Sequence, residues 1–281
     1  SNYNICCSWR IVKSCYTRRS NFTYHQGVIL MLIMGILNVT PDSFADGGRH
    51  NDFDAAVARG LEMIAEGVDI IDIGGESTRP GADRVSEAEE LDRTIPVITE
   101  LSKHGARLSI DTMRASIAEA AIKAGASIIN DVSGGLADPH MLQTAARLQV
   151  PYIAMHWRGQ SKDMNSKAIY NNVVNDVISE LQERITAAQD AGIKANNLIL
   201  DPGLGFAKDA EHNWAIIESI DKFVGLGYPV LVGASRKRFL GGDTPDEREQ
   251  ATIDLTKRLA TTGVWAVRVH SVKPHKEVLE Q

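Results

Sequence analysis

The chain has 281 residues, with 30 basic and 36 acidic side chains, so its formal net charge is -6. A hydrophobic fraction of 43% with scattered glycine and proline excludes a disordered, collagen-like or coiled-coil protein. The mildly acidic balance argues against nucleic acid as the main partner. No apolar run reaches the ~18 residues of a membrane-spanning helix, so we expect no membrane partner.

The first thirty residues differ from the rest of the chain. They hold four basic residues and no acidic one, and all 3 cysteines lie among them. An odd, clustered set of cysteines does not form a disulfide framework, so we interpret these as non-essential thiols. Residues 1–30 are open to three interpretations: additional residues upstream of the natural start, a native structured extension, or a targeting leader. We therefore divide the chain into an N-terminal extension of unknown role, 1–30, and one domain, 31–281.

From residue 31 onward, short apolar runs alternate with amphipathic stretches. The runs predict eight strands, at Leu32–Asn38, Asp69–Gly74, Arg107–Asp111, Ser127–Asp131, Val150–His156, Asn197–Asp201, Pro229–Gly233 and Trp265–His270. The stretches between them predict helices, at Asp52–Glu66, Ser86–Lys103, Ala115–Ala124, Pro139–Leu148, Asn171–Ala191, Glu211–Val224, Glu247–Thr262 and Pro274–Glu280. Eight strand–helix units in one domain favour a TIM (β/α)8 barrel. An open doubly wound sheet is the alternative, although no glycine-rich phosphate-binding turn follows the first strand.

Each predicted strand ends in polar residues, and in a barrel these ends meet at one mouth. One group of them suits a flat heterocycle with an amino group and a ring N–H: Asp72, Asp111, Asn130, Asp201 and Lys237. A second group is cationic and matches phosphate oxygens: Arg79, Arg236, Lys237, Arg268 and His270. The loops Thr40–His50 and Gly74–Ala82 contain glycines and have the length of lids or of ordinary connections. The pattern predicts a substrate with an anionic portion beside a flat polar ring.

Other polar residues have simpler interpretations. We expect His156 to pack in the core beside the site and Lys208 to be solvated. The remaining histidines outside the strand ends show no shared metal-ligand spacing, and we expect them at the surface: His25, His50, His104, His140, His212 and His275.

Eight motifs stand in register with the eight predicted strands. In chain order they are GILNVTPDSFADGG (35–48), DIGGESTRPGA (72–82), SIDTMR (109–114), INDVSGG (129–135), MHWRG (155–159), LDPGLGFAK (200–208), VGASRKRFLG (232–241) and RVH (268–270). Together they resemble the dihydropteroate synthases of folate biosynthesis, which sulfonamides inhibit, and the fifth and seventh are similar to actinobacterial members. The resemblance begins near Met34 and leaves residues 1–30 outside.

The resemblance implies a (β/α)8 barrel that joins 4-aminobenzoate to 6-hydroxymethyl-7,8-dihydropterin diphosphate and releases diphosphate, with Mg2+ present. It implies a pterin-binding set of Asp111, Asn130, Met155, Asp201, Phe206, Gly233 and Lys237. It implies diphosphate binding by Asn38, Thr78, Arg79, Arg268 and His270, with Asn38 linked to the metal. It implies an aminobenzoate side formed by Phe44, Thr78, Pro80, Ser235 and Arg236. Among these, the expected catalytic groups are Asp111, Lys237, Arg268 and His270. The family also implies a cytoplasmic homodimer.

Two features depart from the family pattern. Ser271 stands where the family usually has aspartate, and we expect a small effect on how His270 is oriented. The chain also ends before the family's last helix does, which leaves the dimer least supported. Two other functions stay in view, a non-catalytic pterin-binding paralogue and a corrinoid-linked methyltetrahydrofolate methyltransferase. The intact SRK segment and RVH motif favour the synthase, since a methyl donor has no diphosphate to hold.

Overall fold

The computed structural model describes residues 24–25, 28–29, 31–40, 48–76, 84–159 and 164–280. Its strands are β1 Tyr24–His25, β2 Val28–Ile29, β3 Leu32–Asn38, β4 Ile70–Gly74, β5 Leu108–Asp111, β6 Ile128–Asp131, β7 Tyr152–Met155, β8 Leu198–Asp201, β9 Leu231–Val232 and β10 Ala266–Val269. Its helices are α1 Gly48–Ala65, α2 Glu87–Ser102, α3 Ala115–Ala124, α4 Met141–Leu148, α5 Val173–Asp190, α6 Ala210–Glu218, α7 Ile220–Val224, α8 Glu247–Leu259 and α9 Lys273–Leu279.

Strands β3 to β10 form one parallel sheet that closes on itself. Their order is β8-β7-β6-β5-β4-β3-β10-β9, and a parallel bridge between Leu200 and Val230 joins the two edges. The amide of Leu200 also donates to Pro229 O (2.9 Å) across this seam. The predicted (β/α)8 barrel is therefore confirmed. The short strands β1 and β2 pair antiparallel as a separate two-stranded sheet.

The barrel is filled from inside by a compact set of apolar side chains. These are Leu32, Met34, Ile70, Ile128, Ile153, Ile199, Leu231, Trp265 and Ala266, all buried. A larger apolar cluster, which includes Ile71, Ile117 and Leu181, packs between the sheet and the helices. Because side chains alternate along a strand, the residue two positions after each inward apolar residue faces the same interior. The polar side chains at the strand ends therefore face the mouth of the barrel.

The structure corrects some predicted helix bounds. Helix α1 begins at Gly48, so the first loop ends earlier than His50. The predicted helix 211–224 is broken at Ser219 into α6 and α7. In α3 the bounds are as predicted. Within the residues described, no helix is both long and apolar enough to cross a bilayer.

Candidate active site

The mouth of the barrel is lined by residues that lie two positions after the apolar residues of the barrel interior in sequence. Asp72 follows Ile70, Asn130 follows Ile128, and the same step leads to Met155, Asp201, Gly233 and Arg268. In register, Met155 pairs with Asp201, and Asp111 pairs with Asn130. The structure thus brings the predicted strand-end residues of the pterin set to one place. Asn38 ends β3 at the same rim and is partly buried.

One side of the mouth is a network of two carboxylates around Arg268. The guanidinium donates from Nε to Asp72 Oδ2 (2.6 Å) and from Nη2 to Asp111 Oδ2 (2.8 Å). Asn130 Nδ2 donates to the same Asp72 oxygen (2.9 Å). The second oxygens of the two carboxylates, Asp72 Oδ1 and Asp111 Oδ1, are buried and have no hydrogen-bond partner among the described residues. Since such atoms are costly to leave unpaired, this side is ready to accept hydrogen bonds from a ligand.

Burial and charge set the protonation of this network. Burial raises the pKa of Asp111 to about 7, against the opposing attraction of Arg268. Burial alone would lower the pKa of Arg268, but Asp72 and Asp111 reverse this and leave it raised. Arg268 therefore stays charged and donates to both carboxyl groups.

Asp201, Lys237 and Phe206 form the opposite side. An ideal Cβ on Gly233 would lie 3.9 Å from Asp201 Oδ2 and 4.0 Å from Lys237 Nζ, so the absent side chain leaves room between them. Burial raises the pKa of Asp201, although the Gly203 amide donates to its Oδ1 (2.7 Å). Burial lowers the pKa of Lys237 to about 8, and Asp201 opposes that shift. Lys237 Nζ lies 4.7 Å from the Phe206 ring centroid and donates to Leu204 O.

A third group joins β9 to β10 at the rim. His270 Nδ1 lies 2.9 Å from Ser235 Oγ, and the His270 amide donates to that same oxygen (3.1 Å). Arg236 instead turns its guanidinium toward α8, where Nε donates to Glu249 (2.6 Å) and Nη2 donates to Ser271 Oγ (2.7 Å). Ser271 therefore accepts a hydrogen bond from Arg236, an interaction that the sequence did not suggest. The predicted residues Phe44, Thr78, Arg79 and Pro80 lie outside the described residues.

Two predictions about lone polar residues are wrong. Lys208 is buried, with 9% of its surface exposed, because its ammonium group lies against the His156 ring and the carbonyl groups of Gly203 and Phe206. His275 is fully buried on α9, where its Nδ1 meets Thr256 Oγ1 at 2.8 Å. His156 is buried as predicted. Asp72, which the strand-end pattern assigned to the heterocycle group but the family resemblance did not include among the pterin-binding residues, lies in the network around Arg268.

This architecture defines a barrel enzyme whose mouth offers two carboxyl groups, Asp72 and Asp111, with the cation Arg268 between them. Residues 34–270 match the family model described as pterin binding enzyme. The dihydropteroate synthase of Mycobacterium leprae is 46% identical over 258 residues, which cover 88% of this chain and 91% of that protein. The chain belongs to the pterin binding enzyme family.

Solved structures show which members of the family the chain is similar to. Xanthomonas albilineans dihydropteroate synthase with 4-aminobenzoic acid has a TM-score of 0.84 and 42% identity, covering 90% of this chain and 94% of that one. The Yersinia pestis dihydropteroate synthase with a sulfonamide drug complex has a TM-score of 0.84 and 39% identity, covering 91% and 96%. The chain is thus similar to the dihydropteroate synthases over nearly its whole barrel, and it is a transferase of that kind.

Proposed function

We propose that the chain condenses 6-hydroxymethyl-7,8-dihydropterin diphosphate with 4-aminobenzoate to give 7,8-dihydropteroate and diphosphate. The observation that carries this proposal is the convergence of Asp111, Asp201, Lys237 and Arg268 at one barrel mouth, with buried carboxylate oxygens that lack partners among the described residues. A pterin ring supplies the amino and ring N–H donors that such oxygens need.

The two sides of the mouth have different tasks in this reaction. Asp201 accepts from the pterin's ring N–H and amino group together, while Asp111 and Asn130 contact the other edge. Arg268 uses two of its five N–H donors on Asp72 and Asp111, and its side chain is 19% exposed. The other donors are available to diphosphate oxygens. Arg268 therefore links recognition of the ring to recognition of the anionic tail.

The reaction replaces a C–O bond to diphosphate by a C–N bond to the arylamine, and the amine nitrogen then loses one proton. An arylamine is a weak nucleophile, so departure of the leaving group carries much of the barrier. Arg268 and His270 stabilise the charge that develops on diphosphate, and the electron-rich pterin stabilises the methylene carbon. This is electrostatic preorganisation, and we assign no general base.

Mg2+ belongs to this proposal because the donor set suits it. Within the described residues no cluster of three or more histidine, cysteine, aspartate or glutamate side chains forms a cage for a metal. Mg2+ commonly binds through few protein oxygens together with substrate phosphates and water. Asn38, an amide at the mouth, would supply one such protein oxygen, and Mg2+ held there would neutralise charge on the diphosphate.

Replacing Asn38 by alanine should raise the Mg2+ concentration needed for half-maximal turnover by roughly tenfold, because one oxygen ligand is lost. The measurement is a Mg2+ titration of the initial rate. Asn175→Ala, at an exposed position on α5, is the matched control and should leave the titration unchanged. An Asn38→Ala titration that overlays the parent curve would remove Asn38 from the metal site.

The activity is tested by supplying pterin diphosphate, 4-aminobenzoate and Mg2+ and detecting dihydropteroate. A thermal shift with pterin diphosphate but no turnover would instead identify a non-catalytic pterin binder. A shift with methyltetrahydrofolate that exceeds the shift with pterin diphosphate would identify a methyltransferase. Inhibition by a sulfonamide that competes with aminobenzoate would support the same assignment from the other substrate.

The domain division is also part of this proposal, with residues 1–30 outside the catalytic barrel. Deleting residues 1–30 should leave kcat and both KM values within about twofold, because none of the expected site residues lies there and a change away from such features has small effects. The measurement is turnover of the shortened chain after its fold has been checked by circular dichroism. A folded but inactive product would show that the extension contributes to the site.

The expected cytoplasmic homodimer rests on the family alone. Light scattering at micromolar concentration tests the dimer, and fractionation of the source cells tests the location.

A further inference from the structure

Lys208 is a buried cation that the reaction proposed above does not use. Its Nζ donates to three acceptors: His156 Nδ1 (2.8 Å), Gly203 O (3.0 Å) and Phe206 O (3.0 Å). An ammonium group has three N–H donors, so the three acceptors match its charged form. A neutral amine would leave one of the acceptors facing a lone pair.

The histidine that receives Lys208 is itself fixed in one tautomer. Burial, and then the charge of Lys208, lower the pKa of His156 to about 4, so its ring is neutral. Because Nδ1 accepts from Lys208, the proton sits on Nε2, which lies 2.8 Å from Glu180 Oε2. Arg158 also donates to both oxygens of Glu180. Lys208 is thereby anchored through His156, the residue after β7, to Glu180 of helix α5.

Residues 202–207, the segment to which Lys208 donates, have a constrained backbone that these hydrogen bonds hold in place. Gly203 has φ +69° and passes so close to β7 that a Cβ would lie 2.4 Å from His156 O. Ala207 also has a positive φ, 49°, which an alanine adopts only at an energetic cost. Tyr170 holds this residue as well, since its hydroxyl donates to Ala207 O (2.9 Å).

The same segment carries two groups of the pterin side. The Gly203 amide donates to Asp201 Oδ1 (2.7 Å), so the position of Gly203 determines which way the carboxylate points. Phe206 places its ring 4.7 Å from Lys237 Nζ. Lys208 donates to the carbonyl groups of both Gly203 and Phe206, so it holds the main chain on either side of these two groups.

We propose that Lys208 is a positioning residue that fixes residues 202–207 against β7 and thereby orients Asp201 and Phe206 for the pterin. The proposal rests on the proposed function, since it assigns the pterin to that side of the mouth. The charged and titratable groups that face Lys208 are Asp201, Lys237, Arg158, Glu180 and His156. Burial lowers the pKa of Lys208 to about 7, so the ammonium form that makes all three hydrogen bonds is most populated below neutral pH.

The test is the variant Lys208→Met, which keeps an unbranched side chain, one heavy atom shorter, and removes its donors. We expect the Kd for pterin diphosphate, measured by calorimetry, to rise by about tenfold to a hundredfold, since small misplacements of a binding group have effects of this size. The KM for 4-aminobenzoate at saturating pterin diphosphate should change less than about twofold. Lys208→Gln, which keeps two N–H donors, should recover part of the pterin affinity. Lys123→Met, at a side chain that is 70% exposed, is the matched control and should behave as the parent chain.

The outcomes separate this proposal from the proposed function. A parent chain that makes no dihydropteroate contradicts the function, whereas the calorimetric binding still tests Lys208. Wild-type pterin affinity in folded Lys208→Met would overturn the positioning role, as would equal losses for both substrates. If Lys208→Met does not fold, Tyr170→Phe removes the neighbouring anchor on Ala207. We expect it to raise the Kd for pterin diphosphate about threefold with little change for aminobenzoate, and wild-type affinity there would overturn the proposal.

Discussion

Replacing Asp201 by asparagine is expected to weaken pterin binding by roughly a hundredfold, because a charged bidentate acceptor is exchanged for a group that presents a donor where the ligand also has one. Asp201 is buried, and its Oδ1 is already oriented by the Gly203 amide at 2.7 Å. Its backbone carbonyl accepts from the His156 amide (2.8 Å), so the main chain should keep its place in the variant. The loss should therefore appear in ligand affinity more than in folding.

The measurement is calorimetry with 6-hydroxymethyl-7,8-dihydropterin and with its diphosphate. Both affinities should fall by the same factor, because Asp201 contacts only the ring. The matched control is Asp209→Asn, since Asp209 is an exposed N-cap of α6 and asparagine caps a helix equally well. Pterin affinity that is unchanged in Asp201→Asn would refute the bidentate role.

Replacing Arg268 by alanine is expected to have the second large effect, and on two properties at once. Binding of pterin diphosphate should fall by roughly a hundredfold, and binding of the pterin without diphosphate should fall much less, because the fork that meets phosphate oxygens is lost. The free energy of unfolding should also fall by about 3–5 kcal/mol, because Asp72 and Asp111 are left buried without their cation.

Two further variants separate these effects. Arg268→Lys keeps the charge between the carboxylates but not the planar fork, so it should restore much of the stability and little of the diphosphate affinity. Arg258→Ala removes an exposed arginine that pairs with Glu218, and it should change the free energy of unfolding by less than about 1 kcal/mol. Equal losses for the two pterin ligands in Arg268→Ala would remove the diphosphate assignment.

The periodicity of the chain was sufficient to predict most of the fold. Strand β3 at Leu32–Asn38 and helix α3 at Ala115–Ala124 have the predicted bounds, because a run of apolar residues and an amphipathic stripe are local properties of the sequence. The break at Ser219 was missed, since the apolar pattern continues through it. The strand ends were also predictable, because alternation along a parallel strand fixes which residues face the barrel interior.

The sequence by itself determined the number and chain order of the eight barrel strands, the end of each strand that carries polar residues, and the family, but it did not indicate β1 and β2. Only the tertiary structure decided which of those residues form hydrogen bonds and ion pairs with one another. Arg268 meets Asp72 and Asp111 across separations of 196 and 157 residues, and no local pattern encodes such a pairing. Lys208 is close to polar residues in sequence, and it is buried because His156, 52 residues earlier in the chain, contacts its ammonium group. Periodicity depends on residues that are near one another in sequence, so the fold was predictable. Burial and electrostatic interactions depend on residues from distant parts of the chain, so the hydrogen bonds and ion pairs of the site were not.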